Sequence, residues 1–206
     1  MKSYSIFGVL AVIAYLTTII VGSILRPEYA IFIDPVSRIF AKGLPYSGVI
    51  VSLFVASNIL IILFAIGVFR SVNSLMIRAG MISLIIACIT GSILFIFFPM
   101  DPWQGVRTSA DIVHNNIVTG MALLMLFSMI FVYVGSIFDK RWRRLSRYLI
   151  VSAIFFLICG IASGISLQHY LGLIGTFESL WIIIFLQWLT VVSLNINNNL
   201  VEKGEK

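Results

Sequence analysis

The sequence predicts an all-α, polytopic membrane protein: a bundle of six transmembrane helices with both termini in the cytoplasm. Three observations point to it. Mean hydropathy is +1.09 and only 11% of the residues are charged, whereas soluble domains carry about 25%, so this chain of 206 residues cannot cover a soluble globule with polar side chains. Apolar runs long enough to cross a hydrocarbon core of about 30 Å, which takes roughly twenty helical residues, recur six times. Lys and Arg are gathered in alternate loops, the bias that sets membrane orientation.

The predicted spans are 4–25, 48–69, 75–98, 112–137, 149–170 and 178–197. Together they make one transmembrane domain over residues 1–198, followed by a polar tail, 199–206, that is expected to fray. The first run is longer than a signal-peptide core and lacks a small-x-small cleavage pattern soon after it, so it is read as a helix of the bundle. A loop over 26–47 separates spans 1 and 2. A tight turn at 70–74, a loop at 99–111, a basic loop at 138–148 and a short turn at 171–177 make the remaining connections. Cys88 and Cys159 fall within apolar runs and read as small buried hydrophobes.

With the N-terminus inside, the cytoplasmic side collects ten Lys and Arg and the other side four, Arg26, Arg38, Lys42 and Arg107. The run DKRWRRLSR at 139–147 dominates that bias and reads as a topology anchor that meets anionic headgroups. A net charge of +6 therefore implies membrane lipid as the partner and gives no reason to expect nucleic acid, which would need a basic face on a soluble domain. The same assignment places Glu28, Asp34, Asp101, Asp111, Glu178, His114 and His169 together on the non-cytoplasmic side.

Polar chemistry is densest at 98–114, FPMDPWQGVRTSADIVH. Pro99 and Pro102 stop span 3 and hold Asp101 on a stiff turn, and span 4 is expected to begin at Ser109 or Asp111 acting as N-cap. Asp111 and His114 are three residues apart and share a helical face, so the carboxylate can orient the imidazole, or the pair can supply two metal ligands. A local cap plus an interfacial histidine is the plainer reading. Candidate catalytic residues are Asp101, Asp111, His114 and His169, and a metal would draw on His114, His169 and Asp101. Candidate ligand-binding residues are Asp34, Arg38, Asn58, Arg107 and Glu178, the arginines because a guanidinium grips phosphate in two places at once. No complete catalytic motif occurs, and no cofactor or oligomeric state is indicated. Asn58 and Gln187, the mid-span amides, are expected to face into the bundle and hydrogen-bond neighbours. Small residues four apart, Gly160/Gly164, Ala162/Ser166 and Ala87/Gly91, are expected to let helices approach closely.

The segment DPVSRIFAKGLPYSGVIVSLFVASN, followed by GSILFIFFPMDP and then DIVHNNIVTG, resembles the prokaryotic membrane family catalogued as domain of unknown function 998. The resemblance covers essentially the whole chain. Its most specific piece is Phe98-Pro99-x-Asp101 with His114 about a dozen residues later, and Leu44-Pro45-Tyr46 with Asn58 is a looser match. It implies six spans, a layout loosely similar to the Frag1, DRAM and Sfk1 group, and no settled reaction. Two functions stand open. One is a protein that binds a lipid or small amphiphile in a bundle cavity with a polar outer mouth, as a carrier, sensor or accessory subunit. The other is an integral membrane hydrolase or transferase acting on lipid headgroups. A secondary transporter has less support, since neither an internal repeat nor a broken helix is visible.

Overall fold

The computed structural model describes the backbone of residues 2–102, 108–169 and 172–204, with side chains from Tyr4 to Ile196 within those ranges. The architecture is all helical: α1 (Lys2–Leu25), α2 (Ser47–Ser71), α3 (Leu75–Phe97), α4 (Ser109–Phe138), α5 (Ser146–His169) and α6 (Ile174–Gly204), with short 3₁₀ turns at Val36–Phe40 and Arg143–Leu145. All six long helices are apolar and long enough to cross a membrane. Each helix packs on its sequence neighbours and α6 returns to α1, so the six form a ring. One end carries the termini and the short 70–74 and 138–146 connections. The opposite, distal end carries the 26–46 connection, the end of α3 with the start of α4, and the end of α5 with the start of α6.

Local chemistry sets the boundaries. Pro27 lacks an N–H and disfavours helix at Arg26, and α1 ends at Leu25. Pro99 does the same for α3. Ser74 caps α3, its hydroxyl accepting from Ile77 N at 3.4 Å. The N-cap of α4 is Thr108, in a reciprocal capping box with Asp111, and neither Ser109 nor Asp111, the two expected caps, takes that position. In α6 no Pro occurs and no Gly lies between Gly175 and Gly204, and the backbone stays helical through the first six residues of the expected tail.

Apolar residues point outward as well as inward. Ile13, Ile59, Ile86, Leu123, Ile158 and Ile183, one from each helix, are all exposed, which is natural only where the surroundings are themselves apolar. The interior is filled by Phe64, Met81, Met129, Trp188 and their neighbours. A second apolar cluster closes the distal end. There the Val36–Phe40 turn dips into the ring, and Phe40 packs on Phe54 and Phe95 with ring centroids 5.4 and 4.3 Å away. Asn58 meets the expectation of an inward amide: it is buried and donates to Ser92 Oγ across the α2–α3 seam at 3.1 Å. Gln187 does not, and is exposed on the outer face of α6, where Trp188 and Leu189 take the inward positions.

Candidate functional site

At the distal end three chain segments are tied together by few bonds. Thr176 at the start of α6 donates both N–H and hydroxyl to Phe32 O, each at 3.0 Å. Glu178, two residues further on, returns the contact: its Oε2 accepts from Val36 N at 2.8 Å and so caps the 3₁₀ turn. Gly175 makes this approach possible, because a Cβ there would lie 2.4 Å from Asp34 O and 2.6 Å from Ile31 O. Sequence gave no hint of this clamp, since Val36 and Glu178 are 142 residues apart.

On the clamped turn, Arg38 forms an ion pair with Asp34. Asp34 also accepts from Ala30 N at 2.9 Å through its other oxygen. Lys42 pairs with Asp101 at 2.6 Å, and Thr108 donates its hydroxyl to the same carboxylate at 2.6 Å. The Lys42 ammonium, followed by the Thr108 hydroxyl, holds the Asp101 carboxyl below the usual carboxylate range. Asp111 is buried, and its two oxygens accept from Asp101 N at 3.1 Å and Thr108 N at 2.9 Å. The resulting network runs Lys42, Asp101, Thr108, Asp111, and it fixes the start of α4 against the end of α3.

His114 lies below this network, fully buried. Its Nδ1 is 2.7 Å from Phe98 O, and a carbonyl can only accept, so Nδ1 carries the proton and donates. The ring stands edge-on to Phe95, centroids 5.3 Å apart. Nε2 is buried without a partner. Asp111 thus spends its hydrogen bonds on backbone, and His114 ties α4 to the last carbonyls of α3. His169 is exposed at the final position of α5. Among the described residues no three His, Cys, Asp or Glu side chains gather closely enough to hold a metal, so His114, His169 and Asp101 form no such group. Arg107 lies outside the described residues.

What the structure does bring together is a groove. Between α4, α5 and α6 a cleft of about 300 Å³ is walled by Ala122, Leu126, Phe156, Gly160, Gly164 and Trp181, with Glu178 toward the distal end. A second space of about 250 Å³ is lined by Asp34, Arg38, Asp101, Asp111, Asn115 and Ser166. The two share Pro35, Asn115, Leu167 and Ile174, so the trough continues into a mouth whose wall is also mostly apolar but carries the side chains of Asp34, Arg38, Asp101 and Asp111. Ser166 Oγ, on the wall of the mouth, is buried and without a hydrogen-bond partner.

Gly160 and Gly164 do not serve the close helix packing expected of them. A Cβ at either would meet nothing within 4 Å, so these glycines keep the trough open. Gly91 behaves as expected, with Met121 Sδ 2.8 Å from where its Cβ would be. Of the sequence-derived candidates, Asp34, Arg38, Asp101 and Asp111 line the mouth and Glu178 the trough, whereas His114, His169 and Asn58 line neither space. A general base must come within hydrogen-bond reach of the proton that it takes, and His114 has no such access from the groove.

Comparison with curated proteins and with solved structures gave no match. The likeness in layout to the Frag1, DRAM and Sfk1 group is not shown. One family model matches residues 9–195, nearly the whole chain and all six helices, and the chain belongs to that family, described as protein of unknown function DUF998.

Proposed function

We propose that this multi-pass membrane protein binds a lipid or small amphiphile in the α4–α5–α6 groove, as a carrier, sensor or accessory subunit. The observation that carries the reading is the pairing of an apolar trough, kept open by Gly160 and Gly164, with a mouth of carboxylates, a guanidinium and an unpartnered hydroxyl. Pockets that hold small ligands have this composition: mostly apolar walls for affinity and a few placed polar groups for orientation. The hydrocarbon part of the ligand takes the trough and its headgroup takes the mouth. We read the mouth as facing the non-cytoplasmic side of the cell membrane, a reading supported by the ten-to-four bias of Lys and Arg.

The test is to fill the trough. Protein purified in mild detergent should carry amphiphile detectable by native mass spectrometry, and the double substitution Gly160→Leu with Gly164→Leu should remove most of it. Because a Cβ at either position meets nothing within 4 Å and the added side chain extends into the open trough, the melting temperature should be nearly unchanged. Equal amphiphile content in both proteins would exclude the trough as the site.

A further inference from the structure

A second, smaller cavity of about 120 Å³ lies on the other side of Arg38, walled by Arg26, Glu28, Tyr29, Arg38, Leu44 and Pro102. It shares only Arg38 with the mouth of the groove. We propose that this cavity binds an oxyanion, either a free phosphate or the phosphate of a lipid headgroup.

The argument begins with Arg26, whose residue is 2% exposed. Its hydrogen bonds go to Ser47 Oγ at 2.8 Å and to Ile39 O at 3.5 Å. These use Nε and one terminal nitrogen of a group that carries five N–H donors. No carboxylate among the described residues lies within ion-pair distance of it, the pairs being Arg38 with Asp34, Lys42 with Asp101 and Arg141 with Asp139. A guanidinium removed from water without a counter-charge is strongly disfavoured. Burial accordingly lowers its pKa, against a smaller upward pull from Glu28. Glu28 is the one carboxylate on the cavity wall among the described residues, and it stays beyond ion-pair reach of Arg26.

Two further residues line the same space. Tyr29 Oη is buried without a hydrogen-bond partner. Arg38 brings a second guanidinium to the wall, held in place by Asp34. Two planar cationic donors and an unsatisfied hydroxyl around a space too small for an acyl chain suit a compact tetrahedral or planar oxyanion. Such a ligand would supply the counter-charge that Arg26 lacks and the acceptor that Tyr29 lacks.

The test uses full-length protein in detergent, prepared without phosphate or sulfate. Thermal unfolding is followed while inorganic phosphate replaces chloride at constant ionic strength, and separately while phosphatidylglycerol or uncharged diacylglycerol is added to the micelles. A saturable rise in melting temperature with phosphate assigns the site to a free oxyanion. A rise with phosphatidylglycerol but not with diacylglycerol or phosphate assigns it to a headgroup. In either case Arg26→Gln should abolish the rise. Tyr29→Phe, which removes only the unpartnered hydroxyl, should weaken the apparent affinity by roughly tenfold, the worth of one hydrogen bond to a charged ligand, while leaving the anion-free melting temperature in place. The absence of a saturable rise with either probe overturns the proposal. So does an equal rise in Arg26→Gln or, if that variant does not fold, an unchanged affinity in Tyr29→Phe.

Discussion

The α3–α4 seam and the α4–α5 seam are both furnished with small residues, and they use them in opposite ways. At the first, a Cβ on Gly80 would lie 2.9 Å from Val132 Cγ2, and one on Gly135 would lie 2.5 Å from Ile77 Cγ1. Here the missing side chain is space that a neighbouring helix occupies. At the second, Gly160 and Gly164 face open volume. Lipid tails are as apolar as leucine, so close packing of helices in a membrane rests on van der Waals contact, and a seam without that contact gains little stability from it. The difference separates a structural seam from one that is available to a ligand.

The contrast is broken most forcefully by adding side chains. Gly135→Leu should destabilise the bundle by about 3 kcal/mol or prevent its assembly, the upper range for overpacking a filled interior, as read from melting in detergent. Gly160→Leu should change stability by less than about 0.5 kcal/mol, as for a substitution away from any packed feature. Comparable losses at the two positions would erase the distinction between the seams.

A smaller effect sharpens it. Asn58 donates to Ser92 across the α2–α3 seam and lines neither part of the groove. Asn58→Leu should therefore cost about 0.6–1.7 kcal/mol, from the average to the maximum found for interhelical hydrogen bonds in a membrane, with amphiphile content unaltered. Loss of amphiphile at constant melting temperature would instead place Asn58 in the binding site.

Much of the frame was legible in the sequence because its causes are local. Six apolar runs dictate six helices, Pro99 marks the end of α3, and a short carboxylate ahead of an apolar run marks the start of α4. The candidate site was legible only in part. Asp34, Arg38, Asp101 and Asp111 share a loop end and do converge. His114 was paired with Asp111 by helical spacing, yet its ring turns to Phe98 O, an acceptor presented by the preceding helix that no spacing rule includes. The Gly160/Gly164 pattern reads the same whether a neighbour fills it or leaves it empty, since that depends on where α4 lies and not on the residues of α5. Arg26 looked like one more loop cation, and its burial without a counter-charge emerges only when the Val36–Phe40 turn folds over it.

The claim that the groove holds hydrocarbon can be tested through the tryptophans. Trp181 lines the trough, whereas Trp188, less than two turns further along α6, is fully buried in the core. Variants retaining Trp181 alone or Trp188 alone should be reconstituted with lipids brominated on the acyl chain, which quench indole fluorescence on contact. The account predicts strong quenching of Trp181, relieved by Gly160→Leu with Gly164→Leu, and weak quenching of Trp188 in both backgrounds. Equal, weak quenching of the two indoles would contradict it.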